Sequence, residues 1–255
     1  MKLLLFDVDG TLAESGQKIN DSIIRILKLV APEKYQLGIV GGGKLDKILT
    51  QLNNEIFFNH YFSECGCIYN QNKINNRQGL ELTNIYQKDI RKHSQYLNIN
   101  ILIKDTLKFL SSVEYNLTGH FIDLRSGIIY ISLIGMAATQ QERKQFLDQD
   151  QIHNYRENLL ELLITKEQEL NKDQKKIDIV YGGSVGISIY PSEYDKVQVL
   201  EHLDIKKYEE IHYFGDKYLE NGNDYQLLNS SSVIGHPVDC LEDTQKELQK
   251  LLNQN

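Results

Sequence analysis

The chain has 255 residues, is 41 % hydrophobic and 25 % charged, and carries a formal charge of -7; that apolar content is enough to bury one large core or two small ones. The acidic balance argues against a nucleic-acid or anionic-membrane surface, since either favours a basic face. The apolar run after Lys2 breaks at Asp7, too short for a signal-peptide core, and 3 cysteines, an odd number, fit a reducing compartment, so a cytoplasmic protein without a membrane span is expected. Cys65 and Cys67 form a Cys-x-Cys with no second pair to complete a zinc site.

Lys2 to Phe6 reads as a buried strand that runs into Asp7-Val8-Asp9-Gly10-Thr11. Open α/β sheets place ligands at the C-terminal ends of their strands. Two carboxylates two residues apart at such an end suit phosphoryl transfer: one attacks phosphorus, the other moves the proton, and a magnesium ion holds the opposing charges together. Gly10 lets the chain turn sharply, and Thr11 can offer a hydroxyl and an amide to phosphate oxygens. Asn20 can cap a helix from Asp21 to Val30, in which Ile23, Ile24, Leu27 and Val30 share a face. Leu37 to Val40 is a second buried strand, Gly41 to Gly43 a turn and Leu45 to Leu52 a helix, so a doubly wound parallel sheet is expected; Phe58 to Tyr69 supplies shorter strands.

From residue 82 to 188 the pattern changes. A helix over Tyr86 to Leu97, strands near Ile101 to Leu110, strands at Leu117 to Leu124 and Ile128 to Ile134 around a Ser126-Gly127 turn, a long helix from Gln140 to Leu163 and a strand at Ile177 to Tyr181 predict an α+β insert. QQERK within the long helix reads as an exposed face. Alternation resumes with a strand at Ile211 to Phe214, a helix at Asp224 to Leu228, a strand at Val233 to Ile234 and a helix from Glu242 to Leu252. The expected organisation is a core made of residues 1–81 and 189–255 with a cap of residues 82–188. Asp216 ends its apolar strand as Asp7 ends the first, and Asp224 follows the Gly222-Asn223 turn.

The Asp-x-Asp-Gly-Thr motif resembles the first signature of the haloacid dehalogenase superfamily. More of the chain resembles one branch of it, the eukaryotic phosphomannomutases, in family order: GIVGGGKLDKI (38–48), FSECGCIYN (62–70), GHFIDLRSGIIYISLIG (119–135), QQERKQF (140–146), YPSEYDK (190–196), YFGDKYLENGND (213–224) and EDTQKEL (242–248). The resemblance implies a haloacid-dehalogenase-like α/β core with an inserted cap. It further implies interconversion of mannose 6-phosphate and mannose 1-phosphate, through an aspartyl-phosphate and a hexose bisphosphate, on the way to GDP-mannose. Asp7 would be the nucleophile, Asp9 the acid/base and Lys196 the neutraliser of phosphoryl charge; Thr11, Gly42, Gly43 and Arg125 would bind phosphate. Mg2+ would be shared by Asp7, Asp216 and the backbone carbonyl of Asp9, with Asp224 orienting a metal-bound water. The implied partner is a phosphosugar, and a homodimer through the cap and a place in a larger assembly are both compatible with the resemblance.

The chain departs from the family pattern at named positions. Gly43 stands where Ser is expected, and Gly16, Thr118 and Met136 where arginines are expected; Tyr130, Leu133 and Ser188 replace an Asn, a Pro and an acidic sugar ligand, and Ser230 and Val233 replace Asp and Thr at a second cation site. Arg125 is the matched arginine. Each lost bidentate contact to phosphate removes about 1.5 to 3 kcal/mol of charge-assisted hydrogen bonding. Three functions are therefore carried forward: a phosphomannomutase, a phosphatase of small esters, and a binding or scaffold subunit that kept the fold.

Overall fold

The computed structural model describes residues 1–53, 55–73, 80–172, 174–220 and 222–253. The chain divides into two compact units, one made of Met1–Lys88 with the chain from Asp195 onward, the other of Asp89–Tyr194. In the first unit the chain forms β1 (Lys2–Phe6), α1 (Asp21–Leu27), β2 (Tyr35–Val40), α2 (Leu45–Leu52), β3 (His60–Ser63), β4 (Ile68–Asn72) and β5 (Leu82–Gln87). The second unit contains α3 (Tyr96–Leu110), β6 (Ile122–Leu124), β7 (Ile129–Ser132), α4 (Gln140–His153), α5 (Tyr155–Asn171), β8 (Ile177–Gly182) and β9 (Gly186–Pro191). The first unit is completed by α6 (Val199–His202), β10 (Ile211–Gly215), α7 (Tyr225–Leu228), β11 (Ile234–Pro237) and α8 (Leu241–Asn253).

The larger sheet has the order β11-β10-β1-β2-β3-β4-β5. β11, β10, β1, β2 and β3 run parallel, and β4 and β5 extend the sheet antiparallel. Leu3, Leu4, Leu5 and Phe6 of β1 are wholly buried, because both faces of a parallel strand are covered. Chain order reverses between β1 and β10: later strands step outward from each. That is the switch point at which open α/β sheets leave a crevice beyond the strand ends.

The haloacid-dehalogenase-like α/β core with an α+β insert is the fold the sequence predicts, but several elements differ. Tyr86 belongs to β5 in the larger sheet, so the helix expected over Tyr86 to Leu97 is replaced by a strand end, a short turn at Ile90–Lys92 and the start of α3. Ile101 to Leu110 is helical rather than stranded: Ile99, Leu102, Thr106 and Leu110 are buried at helical spacing, and this period outweighs the β-branched isoleucines. The single helix expected from Gln140 to Leu163 is two, parted at Asn154, whose φ of +54° is a left-handed value that asparagine tolerates. β9, the last strand of the insert, carries Ser188; it lies between β7 and β8 in the smaller antiparallel sheet, order β6-β7-β9-β8, and spans the expected 188/189 boundary. No described helix is long and apolar enough to cross a membrane.

Candidate active site

Four charged side chains from distant segments meet beyond the ends of β1 and β10. Lys196 sits in a single helical turn, Lys196–Gln198, whose start is capped by the Asp195 carboxylate accepting from the Val197 amide. Its Nζ donates to Asp7 Oδ1 and to Asp224 Oδ1, both at 2.6 Å, and to Tyr213 Oη at 3.2 Å. A lysine is almost never fully buried unless paired, and Lys196 has no exposed side-chain surface. Burial pulls its pKa down, but the Asp224 and Asp7 carboxylates outweigh burial and keep it above the ordinary lysine value. Asp224 is equally buried; its Oδ1 also accepts from Tyr213 Oη and its Oδ2 from the Lys217 amide at 2.9 Å.

Burial, and then the neighbouring Asp224 and Asp216 carboxylates, push Asp7 up to about 7 against the opposing pull of Lys196. Asp216 is raised too, chiefly by burial, with Lys217 opposing. One oxygen from each of Asp7, Asp216 and Asp224 lies within 4.8 Å of the others. Against the three carboxylates stand the buried Lys196 ammonium and the exposed Lys217, which pairs with Asp216, so the pocket keeps a net negative charge that is costly to bury without a cation. Asp216 Oδ1 is buried and has no hydrogen-bond partner among the described residues. All-oxygen donors, excess negative charge and an orphaned carboxylate oxygen fit a hard divalent cation.

Two glycines make this convergence possible. Gly10 has φ +93°, and a Cβ there would lie 2.4 Å from Asp216 Oδ2; Gly215 lets Asp224 approach, since a Cβ there would lie 2.7 Å from Asp224 Cγ. The β1 turn and the β10 end are therefore in direct contact through the position of a missing side chain.

Asp9 points elsewhere. Its Oδ1 accepts from the Gly16 amide at 2.8 Å and from Gln51 Nε2 at 2.7 Å, and its Oδ2 pairs with Lys47 Nζ at 2.6 Å. Burial would raise its pKa, but the Gly16, Lys47 and Gln51 hydrogen bonds outweigh burial and hold the group below the usual carboxylate range. The Asp9 carboxylate is thus outside the three-carboxylate cluster. Thr11 is fully buried, and its Oγ1 has no partner among the described residues. Lys47 and Gln51, both on α2, escaped the sequence reading.

The glycine loop 41–43 is pinned by its neighbours. The Gly41 amide donates to Phe62 O at 2.9 Å, Gly43 O accepts from the Glu64 amide at 3.0 Å, and Gly41 O accepts from the Cys65 amide at 3.0 Å. A Cβ on Gly42 would lie 3.6 Å from Asn223 Nδ2 and 3.7 Å from Cys65 Sγ, so the loop lies close to the turn that carries Asp224. Cys65 is a buried thiol, and burial pushes it up to about 12.

Within the second unit, Arg125 Nε donates to Asp123 Oδ2 at 2.8 Å, and its guanidinium lies 5.1 Å over the Tyr130 ring. Arg143 is half-buried rather than part of an exposed helix face: its Nε and Nη2 donate to the carbonyls of Ala138 and Met136. Burial raises the Tyr130 phenol, while the positive charges of Arg143, Arg125 and Arg156 pull it back down. Three guanidiniums therefore act on one tyrosine. Arg143, with Lys104 and Lys144, is a candidate substitute cation from the sequence although QQERK reads as an exposed face; Arg156 carries no motif that marks it. Where arginines were expected, Gly16 serves Asp9 through its amide, Thr118 Oγ1 donates to Ile134 O at 2.7 Å, and Met136 receives Arg143 on its carbonyl.

A profile of the family described as eukaryotic phosphomannomutase matches residues 24–254. The phosphomannomutase of Babesia bovis is 31 % identical over 255 residues, covering 98 % of each chain. That of Galdieria sulphuraria is 32 % identical over 255 residues, covering 98 % of this chain and 94 % of the relative. Among solved structures, an N-terminally truncated IMP-nucleotidase of Plasmodium falciparum aligns with a TM-score of 0.66 at 16 % identity, over 100 % of this chain and 71 % of that one. The C-terminal domain of the trehalose-6-phosphate phosphatase of C. albicans aligns with a TM-score of 0.58 at 13 % identity, over 100 % of this chain and 93 % of that one. At those identities the likeness concerns the fold alone.

Proposed function

We propose, since the chain belongs to the eukaryotic phosphomannomutase family, that it is a magnesium-dependent phosphotransferase interconverting mannose 6-phosphate and mannose 1-phosphate, in the cytoplasmic route to GDP-mannose. One observation carries this reading: Asp7, Asp216 and Asp224 converge around the single buried ammonium of Lys196. A scaffold protein has no use for such a cluster, and its electrostatic strain works against stability.

Asp7 is the nucleophile. Lys196 occupies its Oδ1, so Oδ2 is the oxygen that forms the new bond to phosphorus as the P–O bond to the sugar breaks. When a sugar hydroxyl attacks phosphorylated Asp7, Asp9 removes its proton, and Asp9 gives that proton to the departing sugar oxygen when Asp7 is rephosphorylated. Held below the usual carboxylate range, Asp9 is ready as the base; to reach the sugar it must leave Lys47. Lys196 offsets charge that gathers on the phosphoryl oxygens, and Asp224, with both oxygens engaged, fixes the lysine in place. Mg2+, held by Asp7, Asp216 and the Asp9 carbonyl with Asp224 behind, would offset the remaining negative charge and polarise a phosphoryl oxygen. Thr11 Oγ1 and the loop at Gly42 and Gly43 would supply neutral donors to the phosphoryl group.

A mutase must also hold a second phosphate while the sugar turns round. Arg125, Arg143 and Arg156 around Tyr130 are the cations of the second unit that support this role, through the bidentate geometry arginine offers phosphate. The non-basic residues at Gly16, Thr118 and Met136 favour the second reading, a phosphatase that needs the aspartates but not the distal grip. Purified protein with Mg2+, mannose 1-phosphate and a bisphosphate activator tests both. Mannose 6-phosphate without free phosphate supports the mutase, release of inorganic phosphate supports the phosphatase, and neither product overturns the enzyme reading in favour of a scaffold.

A further inference from the structure

Between β3 and β4, Glu64, Cys65 and Gly66 take φ values of +51°, +55° and +92°. Gly66 adopts that conformation freely, and a Cβ there would lie 2.7 Å from Val199 Cγ1. Glu64 and Cys65 carry side chains, so their left-handed backbone is strained and persists only if the surroundings impose it.

The restraint comes from both sides. Towards the glycine loop, the amides of Glu64 and Cys65 donate to the carbonyls of Gly43 and Gly41. Towards the lysine turn, Gln198 Nε2 donates to Cys65 O at 2.8 Å and reaches Cys67 Sγ at 3.4 Å. Gln198 is 1 % exposed and stands two residues after Lys196. The chain of contacts therefore runs from Lys196 through Gln198 and the 64–66 turn to Gly41 and Gly43.

Resting on the phosphoryl-transfer reading above, we propose that Gln198 is a positioning residue. Its amide clamps the Glu64–Gly66 turn in left-handed geometry and so fixes the glycine loop relative to Lys196, setting the spacing between the neutral and cationic contacts to the phosphoryl group. Two elements that must grip one phosphoryl group from different segments need a rigid spacer. A strained turn held by one fully buried amide provides it.

The test uses trifluoroberyllate with Mg2+ as a mimic of the phosphoryl group on Asp7, with binding read by calorimetry. Gln198→Met keeps the side-chain length and loses the donor; its dissociation constant is expected to rise about tenfold, the loss of one hydrogen bond's worth of ordering. A merely structural role would lower the fraction of binding-competent protein and leave the constant unchanged, and that result overturns the inference. Adding Cys65→Gly, which accepts φ +55° without strain, should recover most of the lost affinity; no recovery also overturns it. If Gln198→Met does not fold, Gln198→Asn, one methylene short, carries the same expectation. Failure of the unsubstituted protein to bind the mimic overturns the phosphoryl-transfer reading and this inference with it, whereas binding by that protein with an equal constant in the variant overturns the inference alone.

Discussion

Asp7 and Lys196 lie 189 positions apart in the chain, yet Lys196 Nζ is 2.6 Å from Asp7 Oδ1 with both side chains buried. That ion pair joins the first strand to the segment on which the chain re-enters the first unit. Breaking a buried pair by removing one partner leaves an uncompensated charge and typically costs about 3 to 5 kcal/mol. Lys196→Met should show a loss of that size in urea denaturation with chelator present. Mg2+ should restore part of it, because a divalent ion can take over the neutralisation; a variant as stable as the parent in chelator would refute the pairing.

Asp7→Asn should reduce phosphoryl transfer to background while leaving the fold intact. In chelator at pH 8 the variant should be more stable than the parent, by about 1 to 2 kcal/mol, since one of three crowded carboxylates has gone. The sign follows from the raised Asp7 pKa. The folded state holds a proton from pH 3.8 up to about 7 that the unfolded state has lost, so the metal-free parent loses stability as pH rises through that window, and the variant does not. Paired urea titrations at pH 5 and pH 8 decide it.

Gly10→Ala tests the contact between the two strand ends. The φ of +93° disfavours any side chain, and the new Cβ would fall 2.4 Å from Asp216 Oδ2. Stability should drop by more than about 1 kcal/mol, and Mg2+ affinity measured by calorimetry should drop with it as Asp216 is displaced. Retention of full Mg2+ affinity would separate Asp216 from the metal.

A buried histidine of β3 supplies a pH effect independent of catalysis. His60 is buried, with Nδ1 2.8 Å from Tyr69 Oη and Nε2 3.0 Å from Gln36 Oε1, and burial pushes its pKa down to about 4. Between about pH 4 and 6.5 the unfolded chain binds a proton that the folded chain refuses. Stability therefore rises with pH across that window and is lost as pH falls, by up to about 3 kcal/mol. His60→Gln should flatten this slope in denaturation curves at pH 5 and pH 7, and an unchanged slope would assign the effect to another group.

The aspartates and the lysine were legible in the sequence because each closes a motif: Asp7 and Asp216 end apolar strands, and Lys196 ends YPSEYDK. Partners set by three-dimensional packing were not. Nothing in the spacing of Lys47 and Gln51 says that they turn to Asp9, and Arg143 reads as solvated until its guanidinium is seen folded back on Met136 and Ala138. β9 is legible only through the family resemblance, which puts Ser188 on the last cap strand; its own run, with Ile187, Ile189 and Tyr190 buried, is too short to distinguish from a loop without its neighbours β7 and β8. α3 was misread in the opposite direction, since isoleucines favour strands while its period of burial is helical.

Leu3 of β1 aligns with Ile211 of β10, and Leu3, Leu4 and Leu5 are wholly buried by this arrangement. During translation, β1 leaves the ribosome long before its neighbour is synthesised. Until then the nascent chain presents an unpaired apolar edge, the template for aggregation that finished sheets conceal. Closing so long a loop is also slow. Chaperone dependence should therefore fall sharply once β10 has emerged, and release at any earlier stop codon should yield insoluble product.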